Sequence, residues 1–104
     1  MALADFLDGF YALRSDGARA DALAAEPPLV GDPIRNAYVG AVAEHLARQY
    51  AFAAPEWTND GCRFLRRPYF AGGLESLKAM LLVESPLAFR RRMIFVDHNP
   101  LRRA

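Results

Sequence analysis

The sequence predicts a mainly α protein: a compact bundle of about four to five helices around one long central helix at about residues 33–52, with a short extended segment at 93–96. Three observations predict it. Asp32-Pro33 and Ser85-Pro86 are cap-then-proline pairs. Such pairs start helices, because Asp or Ser accepts from free backbone N–H groups and proline at the next position lacks a donor that would otherwise be orphaned. Apolar residues recur at three- and four-residue spacing through the first half of the chain. Finally, the 104 residues are 53% hydrophobic and include 7 Phe, 4 Tyr and 1 Trp, which suits one cored domain spanning residues 1–104 and excludes a disordered chain.

The first helix is predicted over residues 3–14. Leu3, Phe6, Leu7, Phe10, Tyr11 and Leu13 make its apolar face, and Asp5 and Asp8 lie near the positive end of its dipole. Ser15-Asp16-Gly17 breaks the pattern. Asp16 is expected to cap a second helix to about Ala25, which Glu26-Pro27-Pro28 stops. The central helix runs from Pro33 to about Phe52, with Ile34, Tyr38, Ala41, Val42, His45, Leu46 and Gln49 as a broad inward stripe that Val39, Ala43 and Tyr50 widen. Residues 53–61 read as a loop by their Pro and Gly. Residues 62–65 allow one helical turn, and Arg66-Arg67-Pro68-Tyr69-Phe70 is expected to be irregular, ending at Gly72-Gly73. Leu74 to Glu84 reads as a short helix with Leu77, Met80 and Leu81 inward. Pro86 to about Arg92 forms the last helix, carrying Leu87 and Phe89. Met93-Ile94-Phe95-Val96 is β-prone without an obvious pairing strand, so it is expected to lie extended and buried or to be completed by a second molecule, as in a homodimer. Asp97-His98-Asn99-Pro100 reads as a turn.

Several function classes are excluded by what these residues lack. The single cysteine, Cys62, makes no internal disulfide and supplies no zinc cluster, a usage that suits a reducing compartment. The first residues have no basic stretch, which predicts no signal peptide, and no run approaches the roughly 18 apolar residues of a membrane span. The expected location is the cytoplasm.

The chemistry-bearing residues each have a structural explanation. His45 lies on the inner stripe with no second His at i+4, so a histidine at the core or its edge is expected rather than a metal ligand. His98 belongs to its turn. Arg63 would favour a thiolate at Cys62, but the sequence gives no sign of a positioned base, and Cys62 is expected to be a small buried apolar residue. Ser85 is assigned to capping. The carboxylates Asp5, Asp8, Asp16 and Asp21 suit solvated helix faces. Gly72-Gly73 lacks the Lys-Ser/Thr sequel of a phosphate loop. No catalytic residue, metal site or cofactor is predicted. An enzyme built on Cys62, His45 or clustered acids ranks third among the readings, and a cleft uniting Cys62 with His45 or His98 is what would revive it.

Charge is the more informative property. Residues 1–61 hold four arginines against nine Asp or Glu, a net −5, and residues 62–104 hold nine Lys or Arg against three acids, a net +6; together they give the chain's +1. Such asymmetry either marks a partner surface or lets the two halves attract each other within one fold. The cations fall in clusters: Arg63, Arg66 and Arg67 with Phe64, Tyr69 and Phe70 interleaved, then Arg90, Arg91 and Arg92, then Arg102 and Arg103. The negative end of the last helix explains one of Arg90–Arg92 better than three. Arginines mixed with aromatics make protein-interface hot spots and also bind phosphates and bases. A sequence pI of 7.9 is low for a nucleic-acid domain. The preferred reading is therefore a non-catalytic helical binding module that meets an acidic protein partner through Arg63, Arg66, Arg67, Arg90, Arg91 and Arg92, with a nucleic-acid-binding regulator as the alternative.

A resemblance adds to this. Ala43-Glu44-His45-Leu46-Ala47, Pro55-Glu56-Trp57-Thr58, Arg63-Phe64-Leu65 followed by Arg67-Pro68-Tyr69-Phe70, and the run from Glu84-Ser85-Pro86 through Arg90-Arg91-Arg92 to Asp97 look like a family of small bacterial proteins. That family resembles the antitoxin-like components of toxin–antitoxin modules, and the resemblance implies a toxin-like nucleotidyltransferase as partner. Similar segments follow a helix-turn-helix region in some longer bacterial proteins. This chain shows no obvious N-terminal DNA-reading helix pair, a departure from those longer proteins that counts against a DNA-binding role. The resemblance covers most of the chain, and its motifs are caps and apolar positions that specify a fold more than an activity.

Overall fold

A computed structural model of the chain describes residues 3–70 and 85–96. The expected helix at 74–84, the Gly72-Gly73 turn, the 97–100 turn with His98, and Arg102 and Arg103 lie outside the described residues. The chain is mainly helical, as its sequence predicts.

Helix α1 spans Leu3–Ala12 and buries Leu7 and Phe10, with Phe6 and Tyr11 packed at the edge of the core. Helix α2 spans Asp16–Ala24. Its N-cap is Ser15 and not the expected Asp16: the Ser15 hydroxyl accepts from the Ala18 N–H at 3.1 Å. Asp16, now inside the first turn, pairs instead with Arg19 at 3.0 Å. The Arg19 guanidinium donates to the Leu13 carbonyl at 2.9 Å and lies over the Tyr50 ring, joining α1, α2 and the end of the next helix. Only Leu23 of α2 is buried, so the helix depends on such tethers; another is the Trp57 indole N–H, which donates to the Leu23 carbonyl at 2.9 Å.

Helix α3, Pro33–Gln49, starts where the sequence says it should, with the Asp32 carboxylate accepting from the Ile34 N–H at 2.9 Å. It ends three residues before the expected Phe52. Ala51 takes a left-handed conformation (φ 61°), and the N–H groups of Ala51 and Phe52 donate to the carbonyls of Arg48 and Ala47. This pair of bonds closes the helix C-terminus, and it needs one left-handed residue. The buried face is also broader than the predicted stripe. Ala37, Gly40, Ala41, Val42, Ala43, Glu44, Leu46 and Ala47 are buried, Tyr38 and His45 are half-buried, and Gln49 is exposed. Burial at 40 to 44 and again at 46 and 47 leaves little of the helix circumference to solvent, the mark of a central helix.

Two 3-10 turns, Glu56–Asn59 and Gly61–Arg63, pack along α3. A single turn, α4 (Leu87–Arg90), packs on it too, and buries Phe89 edge-on against Tyr38 and His45. Ser85 does not cap α4. Its hydroxyl accepts from the Val96 N–H and donates to the Val96 carbonyl, both at 2.8 Å, so it fastens the two ends of the 85–96 segment. Met93, also left-handed at φ 62°, turns the chain from α4 into strand β2, Ile94–Phe95. β2 pairs in parallel with strand β1, Tyr69–Phe70, in the register Tyr69 to Ile94 and Phe70 to Phe95, and the two phenylalanine rings stack at 5.0 Å. The extended segment at 93–96 thus finds a pairing strand within the chain, and the stretch expected to be irregular at 66–70 contains it.

Candidate functional site

The site begins at Glu44. Helix α3 turns this carboxylate inward beside Gly40, Ala41 and Ala47, and the residue is 2% exposed. A charge in such a place must be paired and hydrogen-bonded. Three arginines meet it. Arg48, one helical turn on, donates from Nε at 2.8 Å; Arg91 Nη1 reaches both carboxylate oxygens at 2.8 Å; Arg92 Nη1 reaches one at 2.6 Å. Burial pushes the carboxyl up, but the hydrogen bond from Arg92, that from Arg48, the charge of Arg92 and the hydrogen bond from Arg91 together hold it below the ordinary glutamate value.

Arg92 is fully buried. Beyond Glu44 it donates to the carbonyls of Ala88 at 2.8 Å and Thr58 at 2.6 Å, and its guanidinium lies over the Phe64 ring. It therefore joins α3, α4 and the first 3-10 turn. Burial pulls its pKa below the ordinary arginine value, and the Glu44 carboxylate opposes that pull. Arg63 is the second fully buried arginine. It donates to Glu26 at 3.0 Å, to the Pro27 carbonyl at 2.8 Å and to the Asn36 carbonyl at 3.3 Å, and it lies over the Trp57 ring. Both side chains pass α3 at Gly40, where a β-carbon would stand 3.0 Å from Arg63 Cβ and 3.1 Å from Arg92 Nε. A residue without Cβ admits that close approach with no shift of either arginine.

The six arginines expected at a partner surface divide accordingly. Arg63 and Arg92 are internal: the Nη groups of each bind carbonyls and a carboxylate inside the fold, and neither side chain is exposed. Arg91 is exposed too, its side chain 38% accessible, but its tip is held by Glu44. Arg66, Arg67 and Arg90 are exposed, and among the described residues their guanidinium groups make no ion pair or hydrogen bond. The ion pairs Arg63–Glu26, Arg91–Glu44 and Arg92–Glu44 each join the basic second part to the acidic first part. Attraction between the halves accounts for these cations, and Arg66, Arg67 and Arg90 are left over.

Arg66 and Arg67 line an open groove of about 730 Å³ between the N-terminal turn of α3 and residues 61–69. Cys62 lines it as well. The expectation of a small buried apolar cysteine is overturned: Cys62 is exposed, because in the Gly61–Arg63 turn it is the Arg63 side chain that points inward. His45 packs edge-on against Phe89 and does not line the groove, so Cys62 and His45 are not brought together. Burial holds the His45 ring below its ordinary pKa, as expected of a histidine at the core edge. Among the described residues, no group of three or more His, Cys, Asp or Glu is placed to hold a metal, and no helix is long and apolar enough to cross a membrane. Sequence reading missed Glu44, Gly40 and Thr58. One signal was there: a carboxylate between Ala43 and Leu46, inside the most alanine-rich face of the central helix, demands a cation from elsewhere in the chain.

Comparison of the chain with protein-family models, with curated proteins and with solved structures finds no match.

Proposed function

We propose that this chain is a non-catalytic helical binding module that engages an acidic protein partner through Arg66, Arg67 and Arg90. The observation that carries this reading is the division of the arginines. Glu26 and Glu44 hold Arg63, Arg91 and Arg92, whereas the other three are exposed and unpaired among the described residues. A cation that stabilises nothing internally is available for association, where charges speed encounter and select the partner. The resemblance to antitoxin-like components supports a toxin-like nucleotidyltransferase as that partner, and the reading places the pair in the cytoplasm.

Tagged wild-type chain and a triple variant, Arg66→Glu, Arg67→Glu and Arg90→Glu, recovered from the native host at low and high salt, test this. An acidic protein is expected with the wild type at low salt, and at least about tenfold less of it with the variant. Equal recovery with both chains, or a wild type that elutes alone, speaks against the reading. A second reading, a nucleic-acid-binding regulator, is favoured by exposed Tyr69 close in sequence to Arg66 and Arg67. It requires salt-dependent DNA or RNA binding whose salt slope falls when these arginines are removed.

A further inference from the structure

Resting on that reading and deepening it, we infer that the groove between the N-terminal turn of α3 and residues 61–69 docks an extended acidic segment of the protein partner, one in which carboxylates alternate with apolar side chains. Ile34, Leu65 and Tyr69 give the groove its apolar surface, Arg66 and Arg67 give it positive charge, and among the described residues no Asp or Glu lines it. That combination is complementary to an anionic chain with apolar anchors. Its volume of about 730 Å³ takes several side chains. Asp32 and Asp60 are the sequence neighbours of the lining residues Pro33 and Gly61, and the Asp32 carboxylate is tied to the Ile34 N–H, so the carboxylates of the occupant belong at Arg66 and Arg67.

A peptide fits better than a nucleic acid. The ring of Phe64, which also lines the groove, already lies under Arg92 at 4.5 Å and Arg91 at 5.7 Å. The Phe64 face that Arg92 covers is closed to base stacking, which leaves Tyr69 as the exposed aromatic ring among the described lining residues, whereas single-strand binding stacks successive bases on several such rings.

Cys62 supplies the test, because it lines the groove, is exposed and is the chain's one cysteine. The probe is a short fluorescent peptide alternating Glu with Leu, measured by anisotropy against the intact chain, with an all-Glu peptide and a DNA oligonucleotide beside it. A bulky maleimide on Cys62 is expected to weaken Glu–Leu peptide binding about tenfold or more, as is the pair Arg66→Glu and Arg67→Glu. Arg90→Glu, outside the groove, is expected to change it less than about twofold, and the all-Glu peptide to bind at least about tenfold more weakly. Circular dichroism checks that each species is folded. Peptide binding that ignores the maleimide, or that is lost with Arg90→Glu alone, overturns the groove while leaving the acidic-partner reading in place. Equal binding of the all-Glu peptide removes the apolar anchors. Cys62-sensitive DNA binding tighter than peptide binding overturns the peptide as occupant, and failure of every acidic peptide to bind overturns both readings.

Discussion

Gly40 leaves little room for a methyl group. A β-carbon there would meet Arg63 Cβ at 3.0 Å and Arg92 Nε at 3.1 Å, and the first of these atoms is fixed by its own backbone. Helix propensity alone favours Ala over Gly by about 1 kcal/mol, but overpacking costs about 1–3 kcal/mol, so the clash decides the sign. Gly40→Ala is expected to be destabilising. Gly9 in α1 has no heavy atom within 4 Å of its β-carbon position, so there propensity acts alone and Gly9→Ala should stabilise by about 0.5–1 kcal/mol. Urea midpoints of the two variants moving in the same direction would contradict this account of Gly40. Little of it was legible beforehand. Arg63 and Arg92 look like Arg66 and Arg90 in sequence, since a long side chain carries no local sign of whether it turns inward. The choice between them is made by carbonyls and carboxylates far away in the chain.

The elements were more legible, and their terminations less so. Asp32-Pro33 identified the start of α3 because capping is local, with an acceptor and a donor two residues apart. Ser85-Pro86 marked a helix start correctly, but the Ser85 hydroxyl bonds Val96, eleven residues on, where no local rule reaches. The two-residue strands β1 and β2 are too short to show an alternation. The end of α3 carried a misleading residue: its closing geometry suits glycine, and the chain has Ala51 there. A left-handed alanine costs roughly 1–2 kcal/mol, against a smaller entropic loss for glycine. Ala51→Gly is therefore expected to raise stability by about 0.5–1 kcal/mol, read as a higher urea midpoint with an unchanged denaturant slope. An unchanged or lower midpoint would mean that the left-handed turn does not limit the helix end.

For the molecule as a whole, the Glu44 cluster links stability to acid. The carboxyl is held below its ordinary value of 4.5 in the fold, so on acidification the unfolded chain takes up that proton first. The stabilisation from Glu44 is complete above pH 4.5 and is lost as pH falls through the lower folded-state value. His45 acts in a higher window. Burial depresses its ring below 6.5, so the unfolded chain again protonates first and stability declines as pH falls from 6.5. Glu44→Gln removes one window and keeps the other. It should cost about 3–5 kcal/mol near neutral pH, because Arg92 stays buried without its counter-charge, and the variant should lose only the additional decline below pH 4.5. Urea titrations at a series of pH values check this, and a variant whose acid slope matches the wild type would refute it.

The same carboxylate bears on the order in which the chain can close. Glu44 emerges during synthesis well before Arg91 and Arg92, with Arg48 as its only nearby cation. Arg48 is half exposed in the finished fold and cannot by itself compensate a buried charge. Until residues 85–96 arrive, sealing the central helix would enclose a poorly compensated carboxylate, at a cost of several kcal/mol. Closure of the central helix around Glu44 therefore depends on arginines supplied by the last-made part of the described chain.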